Sequence, residues 1–145
     1  MTVTSTQELT PPILDELELV DWSVGDDPKT RGRIAAPVSA ATGSAGTVVY
    51  LEVDPGDRIP LHTHSAEETL VVLQGSAIAT AGDQQGPVTV GAVVVAPAFA
   101  PHGFENTGTD TLRLVGFFPA GVVINYFDAP VAPFGVDTFV IPVLQ

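Results

Sequence analysis

At 145 residues, the chain is long enough for one compact domain and too short for two barrels of ordinary size. Apolar residues make up 45% of the sequence and charged residues 15%, a balance typical of a globular protein with a large buried interior. The net charge of −12 repels phosphate backbones and anionic lipid, so neither nucleic acid nor a membrane is an expected partner.

The chain contains no cysteine, so any metal must bind through nitrogen and oxygen ligands. The longest apolar runs, such as 92–100, fall well short of the roughly 18 residues that a membrane helix requires. At the N-terminus there is no basic segment followed by an apolar stretch, which is the pattern of an export signal. We therefore expect no membrane span and a cytoplasmic location.

The first residues, 1–12, are polar and end in a Pro-Pro pair, which predicts a flexible lead-in before a single domain over 13–145. Within 13–22, apolar and acidic residues mix in a pattern compatible with either a short helical turn or an edge strand. The stretch GDDPKTRGR that follows Val24 is rich in turn residues.

Short runs rich in Val, Ile and Thr then recur, with Gly or Pro between them. Short strands at this spacing, without a helical period of useful length, predict an all-β barrel or sandwich. The predicted strands include 47–53, 68–74, 77–81, 88–96 and 111–118.

The C-terminal segment, 119–145, is rich in Phe, Val and Pro and includes Phe127, Phe134 and Phe139. We expect an apolar tail that packs on the barrel or on a second subunit, with a substrate-facing lid as the alternative. Small barrels commonly cover apolar edges by pairing with a symmetry mate, so a homodimer is expected.

Two of the three histidines in the chain form a His-x-His pair within GDRIPLHTHSAEETLVVLQG, residues 56–75. On a strand, His62 and His64 project from the same face about 6–7 Å apart, as a chelating pair would. Glu68 keeps that parity if the turn before it preserves the register, and Glu67 then points outward. The third histidine, His102, follows another β-type run in GAVVVAPAFAPHGFEN, residues 91–106. A lone histidine is ordinarily a core residue, but this combination favours a metal site.

Both segments resemble the two characteristic motifs of the cupin superfamily. The positions that match are Gly56, His62, His64, Glu68 and Gly75 in the first motif, and Gly91, Pro97, His102 and Asn106 in the second. One position departs, because Phe99 stands where the second motif usually has glycine. The spacing to His102 is nevertheless kept.

The resemblance implies a single cupin barrel, also called a double-stranded β-helix or jelly roll. It further implies that His62, His64, Glu68 and His102 hold one divalent metal ion inside the barrel mouth, with Glu68 also the candidate catalytic residue. Imidazole and carboxylate suit Fe2+, Mn2+, Zn2+, Ni2+ and Cu2+ alike. Fe2+ or Mn2+ is favoured because cupins of this size are often oxygenases.

Residues around the predicted ligands point to the substrate. Leu70, Val72 and Phe104 share the inward orientation and either line an apolar pocket or fill the core. Arg58 could orient a carboxylate or enolate, with a solvated loop arginine as the alternative. The chain has only five Lys and Arg residues, which leaves few to hold a phosphorylated substrate.

The favoured function is a mononuclear non-heme dioxygenase that acts on a small neutral apolar, aromatic or enolisable molecule, with dioxygen as co-substrate. One alternative is a redox-neutral isomerase, cyclase or lyase in which Zn2+ or Ni2+ polarises a carbonyl and Glu68 or a loop residue moves the proton. The other is a non-catalytic cupin that binds a small ligand. The chain shows no helix-turn-helix segment, so a DNA-binding regulator is not expected.

Overall fold

The structure is a computed structural model that describes residues 6–142. Apart from two 3₁₀ turns, Leu14–Glu16 and Ala40–Thr42, its regular elements are strands, which confirms the all-β prediction. No helix within the described range has the length and apolar character needed to cross a membrane. The predicted lead-in falls partly outside the described residues, at 1–5, and the division into lead-in and domain stays a prediction.

The structure contains strands β1 (Val20–Val24), β2 (Arg31–Val38), β3 (Thr47–Val53), β4 (Arg58–His64), β5 (Glu68–Gln74), β6 (Ser76–Ala81), β7 (Gln84–Thr89), β8 (Val93–Ala96), β9 (His102–Asn106), β10 (Leu112–Phe118), β11 (Val123–Ala132) and β12 (Val136–Ile141). They curl in the hydrogen-bonded order β7-β6-β9-β4-β11-β1-β2-β3-β10-β5-β8, and β12 pairs with β11. Strand β4 lies between β9 and β11. The His-x-His strand is therefore flanked by the strand of the second motif and by the C-terminal segment.

Side chains that alternate along the strands fill one end of the barrel. Val53, Val72, Leu112 and Leu114 are all at most 1% exposed. Val53 pairs with Leu112 and Val72 pairs with Leu114 in the sheet register. Burying side chains of this size stabilises the fold by about 1.5–3 kcal/mol each relative to exposure. This end is solid core, so any ligand cavity must lie elsewhere in the barrel.

The predicted strand over 88–96 is wrong as one element. It divides into the end of β7, which pairs with β6, and β8, which pairs with β5. Gly91 adopts a left-handed backbone with φ of +87° between them, a conformation that glycine takes without steric cost. The apolar run hides this turn because valine flanks the glycine on both sides.

The segment between residues 13 and 38 contains one element that the turn-rich sequence conceals. The 3₁₀ turn Leu14–Glu16 and strand β1 both occur, but β1 lies between β11 and β2 rather than at an edge of the sheet. Strand β2 begins at Arg31, inside the stretch assigned to turns. Gly32 lies against the indole of Trp22, since a Cβ at this position would come within 2.7 Å of the ring. A glycine that reads as a turn residue here makes room for an aromatic side chain.

The C-terminal segment is part of the sheet rather than a tail laid on its surface. Strand β11 pairs with β1, β4 and β12. Its register places Asn125 opposite His64. The packing on the barrel expected for this segment thus takes the form of backbone pairing, and it brings the C-terminal side chains beside the predicted ligands.

Candidate active site

Strand β4 carries the His-x-His pair at its C-terminal end. Its pairing with β9 shifts register between Ile59 and His62, and Ile59, His62 and His64 are all buried. Unbroken alternation would put Arg58 on the face of His62, but the register shift reverses the parity. Arg58 instead lies 3.4 Å from Asp27 in an ion pair.

Glu68 is the first residue of β5 and is only 3% exposed. Its neighbour Glu67 is exposed, in agreement with the predicted parity. The carboxylate of Glu68 fits against the bare backbone of Gly116 on β10, because a Cβ at position 116 would clash with Glu68 Oε2. Gly116 is therefore a residue of the site that the motifs do not include.

His102 opens β9 directly opposite His62. The turn before it keeps a left-handed residue at the position of the missing glycine, since Phe99 has φ of +61°, a region that non-glycine residues rarely adopt. The Phe99 N–H donates to the His64 carbonyl at 2.8 Å, which helps hold this conformation. Gly103 allows β9 to approach β4, because a Cβ there would lie 2.6 Å from Ile59 O.

The four predicted ligands converge. His62 Nε2 lies 3.1 Å from His64 Nε2, and Glu68 Oε1 lies 3.3 Å from His64 Nε2 and 3.1 Å from His102 Nε2. Ligand atoms of the three histidines all lie within 4.8 Å of one another. The histidines could therefore hold a metal ion, and a carboxylate oxygen lies beside two of them.

Backbone carbonyls orient two of the imidazoles. Pro60 O lies 2.7 Å from His62 Nδ1, and Ala100 O lies 3.1 Å from His102 Nδ1. Because a carbonyl only accepts, each Nδ1 carries the proton and each Nε2 keeps its lone pair. The lone pair of His102 Nε2 then faces a carboxylate oxygen, and two such acceptors repel unless a cation or proton lies between them. A divalent cation fits this donor set.

The protonation states also suit metal binding. Burial, together with the rings of His102 and His64, holds the pKa of His62 well below its usual value of 6.5. Burial by itself raises the pKa of Glu68, but hydrogen bonds from His102 and His64, together with their positive charge, outweigh it and lower that pKa to about 2 when these imidazoles carry a proton on Nε2. A divalent ion in the place of that proton favours the ionised carboxylate in the same way. At neutral pH the site thus offers neutral His62 and ionised Glu68, the forms that coordinate metal.

The four side chains lie on the wall of a cavity of about 410 Å³. The remaining wall is mainly apolar and comprises Val20, Trp22, Ile34, Ala35, Ala36, Val49, Leu51, Ile59, Leu70, Phe104, Phe118, Asn125, Phe127, Val131, Pro133, Phe134, Phe139, Ile141 and Pro142. Leu70 and Phe104 were predicted to face such a pocket, and both lie on its wall. A cavity of this size holds a small organic molecule.

Two other predicted substrate residues lie off this wall. Val72 faces inward like Leu70 but is level with Leu114, in the packed end of the barrel. Arg58 lies in a separate shallow groove with Glu105, on the outer side of the register shift in β4. Alternation along a strand therefore does not predict where these two side chains lie. For Val72 the depth along the strand also matters, and for Arg58 the register of the strand changes.

The β11–β12 hairpin supplies an aromatic wall made of Phe127, Phe134 and Phe139. The Phe127 ring stacks on the His62 imidazole with centroids 4.6 Å apart and planes 1° from parallel. Phe139 packs on Phe127 and on Phe134, with centroid distances of 5.8 Å and 4.7 Å. The C-terminal segment thus packs on the barrel, as in the first expectation, and also lines the cavity, as the lid alternative requires.

Sequence reasoning missed the contribution of β11 to the cavity. Val123, Asn125 and Phe127 occupy alternate positions of one run and so share a face. An asparagine on the inward face of an otherwise apolar strand is the signal that marks this run as a cavity wall. This signal can be used only after the run has been identified as a strand, because alternation defines a shared face only in a strand.

No cationic side chain lines the cavity within the described residues, which include every Lys and Arg of the chain. Each arginine instead pairs with at least one acidic side chain. The pairs are Arg31 with Asp57, Arg33 with Glu52 and Asp54, Arg58 with Asp27, and Arg113 with Asp15. The cavity therefore offers an anionic ligand no positive side chain.

The fold and the site define a cupin, and the chain belongs to the cupin superfamily. A family model described as the Cupin domain matches residues 49–118. This segment contains both motifs and all four predicted ligands. Among curated proteins, no match to the chain was found.

Solved structures share the fold. A protein assigned as a sugar phosphate isomerase from Acidithiobacillus ferrooxidans is 25% identical with a TM-score of 0.55, and the match covers 68% of this chain and 65% of that one. A predicted oxalate decarboxylase from Thermotoga maritima is 22% identical with a TM-score of 0.64, over 73% of this chain and 95% of that one. The polyketide cyclase RemF from Streptomyces resistomycificus is 20% identical with a TM-score of 0.61, over 77% of this chain and 79% of that one.

Proposed function

We propose that this protein is a metal-dependent enzyme that acts on a small, neutral, aromatic or enolisable molecule. The observation that carries the proposal is the junction of two surfaces in one cavity: four convergent nitrogen and oxygen donors, and an apolar wall without a cationic side chain. Such a combination is typical of an enzyme site that orients an organic substrate beside a metal.

His62, His64, His102 and Glu68 would hold the ion. Carbonyls of Pro60 and Ala100 fix the ring orientation of two of these ligands, a role that typically changes metal affinity by about 10–100-fold. A bound divalent ion would supply Lewis acidity toward a carbonyl or enol oxygen and, if it is iron or manganese, a redox centre for dioxygen.

The chain's own residues then determine what meets the ion. Phe127 covers one face of the His62 ring, so it limits the movement of that ligand and excludes water from it. Ionised Glu68 is the one carboxylate on the cavity wall in the described residues, which makes it the group that would accept a proton from an acidic C–H or O–H of the substrate.

The substrate class follows from charge. Enzymes that hold phosphates or dicarboxylates ordinarily present arginine or lysine to them. Here all four arginines are engaged by acidic partners away from the cavity. We therefore expect this chain to differ in substrate from a sugar phosphate isomerase, although it shares that fold.

For the reaction, we propose dioxygenation supported by Fe2+ or Mn2+. A redox-neutral cyclisation, isomerisation or lyase reaction with Zn2+ or Ni2+ is the second candidate. The aromatic cavity without a cationic side chain favours this alternative as well, since it would accept a polyketide-like substrate of the kind that the name of RemF implies. Glu68 would move the proton in that case.

The test is an oxygen-electrode assay of protein loaded separately with each metal, against diketones, phenols, alkenes and sugar phosphates. Uptake with a neutral substrate and Fe2+ or Mn2+ is the expected result. Uptake restricted to the phosphates would contradict the substrate class. Product formation detected by NMR without oxygen uptake would favour the redox-neutral reaction, and stoichiometric metal without turnover would favour a ligand-binding cupin.

We also expect a homodimer. Val93 and Val95 on β8 and Phe117 on β10 are exposed, and they give this edge of the sheet an apolar outer face. Sedimentation at micromolar concentration should therefore show a species near twice 15.0 kDa. A single monomeric species would contradict this expectation.

A further inference from the structure

The side-chain amide of Asn125 is a polar group on the cavity wall that has no role in the donor set. Asn125 is 2% exposed and lines the cavity. Among the described lining residues it is the only carboxamide or hydroxyl side chain, and the other polar groups are the four donors and the Trp22 indole. A buried amide on an apolar wall is costly unless its hydrogen bonds are made.

The orientation of this amide is fixed by the backbone around it. Asn125 Nδ2 donates to Val123 O at 3.2 Å and to Phe139 O at 3.4 Å. Carbonyl oxygens only accept, so the nitrogen must face them and the flipped amide is excluded. The amide oxygen Oδ1 consequently points away from both carbonyls, and the hydrogen bonds of the Asn125 amide within residues 6–142 are those that Nδ2 donates.

The place of Asn125 in the sheet brings this acceptor to the donor set. Asn125 is the register partner of His64 in the β4–β11 ladder. Directly opposite residues of an antiparallel pair have Cβ atoms about 4.5–5.5 Å apart and share a face. An unpaired, oriented acceptor therefore lies next to a candidate metal ligand.

We propose that Asn125 Oδ1 orients the substrate by accepting a hydrogen bond from its hydroxyl group. This inference rests on the proposed function, and it narrows the substrate class to neutral molecules that carry a phenolic or enolic O–H. Aromatic hydrocarbons and fully alkylated ethers would fill the same cavity but leave Oδ1 unpaired, which is unfavourable in a dry site. Asn125 is a binding and specificity residue in this account and not a metal ligand.

The test compares two probes of nearly equal shape, 4-propylphenol and 4-propylanisole, with the zinc-loaded protein. Trp22, the single tryptophan of the chain, lies on the cavity wall, so its fluorescence reports occupancy. Wild type should bind the phenol at least about fivefold more tightly than the ether. Asn125→Leu, which keeps side-chain size, should reduce that preference about fivefold.

Phe139→Leu is the matched control, since it trims the apolar wall beside Asn125 without removing the amide. It should lower the affinity for both probes and leave the ratio of the two affinities unchanged. An Asn125→Leu protein that retains the wild-type preference would overturn the inference, because the preference would then come from the metal or another group. If Asn125→Leu does not give a wild-type-like circular dichroism spectrum, Asn125→Val removes the same amide with a side chain suited to a strand.

Metal content measured on the same samples separates this inference from the proposed function. A phenol preference that depends on Asn125 in protein that cannot retain zinc would support the inference and contradict the proposed metal enzyme. Stoichiometric zinc, together with a ratio of phenol to ether affinity that Asn125→Leu does not change, would support the metal site and contradict the inference about Asn125.

Discussion

The cavity has two walls of opposite character. The donor wall, made of His62, His64, Glu68 and His102, is built on β4, β5 and β9 and consists of polar atoms within hydrogen-bond distance of one another. The aromatic wall is built on the β11–β12 hairpin and consists of stacked rings. They meet where Phe127 stacks on His62.

This difference teaches where chemistry and recognition reside. The donor wall requires fixed protonation states and fixed directions, which carbonyls and neighbouring side chains provide. The aromatic wall requires only shape and apolarity, apart from Asn125 beside it. Changes to the donor wall should therefore alter metal binding, and changes to the aromatic wall should alter ligand binding with the metal retained.

The largest expected effect is on the donor wall. His62→Ala, His64→Ala and His102→Ala should each lower metal affinity by about 100-fold or more, because each removes one of the three imidazoles that hold the ion. Glu68→Ala should be milder, since three imidazoles remain. Plasma mass spectrometry after dialysis measures this, and circular dichroism checks the fold.

Glu67→Ala is the control for Glu68→Ala. It removes an exposed carboxylate at the adjacent position and should leave metal content unchanged. Equal losses in the two variants would mean that general charge, rather than ligation, governs binding.

The second-largest effect is expected from low pH, which changes the protonation of the donor wall. In the folded protein the pKa of His62 is depressed below 6.5, so the unfolded chain binds a proton at this residue more readily than the folded chain does. The contribution of neutral His62 to the free energy of unfolding is therefore complete above pH 6.5 and falls as the pH drops below 6.5. Glu68, with a pKa lowered from 4.5 to about 2, contributes above 4.5 and loses that contribution as the pH falls toward 2. The ion should leave below about pH 6, where protons compete for imidazole.

Thermal unfolding of metal-free protein across this pH range, with metal content measured in parallel, is the relevant experiment. A melting temperature that is constant between about pH 7 and about pH 3 would contradict the depressed pKa values of both groups. Metal retained at about pH 4 would argue against histidine ligation.

A smaller effect is expected at Gly116. Gly116→Ala should displace the Glu68 carboxylate, which occupies the space of the new methyl group. Overpacking of this kind costs about 1–3 kcal/mol in the free energy of unfolding, and metal affinity should fall with it. Gly86→Ala is the matched control, because a Cβ there would meet nothing within 4 Å. Similar metal affinity in both variants would refute the role of Gly116.

The smallest effect concerns the aromatic wall. Phe127→Leu removes an aromatic ring from the cavity wall, and the contact that such a ring makes with an aromatic probe contributes about 0.5–1.5 kcal/mol. Binding of 4-propylanisole should weaken roughly three- to tenfold while metal content is unchanged. Phe117→Leu, on the exposed outer face, should change neither. Loss of metal in Phe127→Leu would show that the two walls are not separable.

The sequence predicts the donor wall better than its surroundings. His62, His64, Glu68 and His102 are spaced in motifs that encode their own geometry, and the structure brings them together. The positions of Arg58 and Val72 depend on a register shift in β4 and on depth in the barrel, neither of which alternation reveals. Asn125 reaches the site only through pairing of β11 with β4, a contact between segments distant in sequence.

Elemental analysis of protein purified without added metal tests the central claim most directly. Wild type should contain about one divalent ion per chain, and the His62→Ala/His102→Ala double variant, with two of the four donors removed, should contain almost none. Metal content equal to that of wild type in a folded double variant, or none in a wild type offered each metal in turn, would contradict a metal centre at this site.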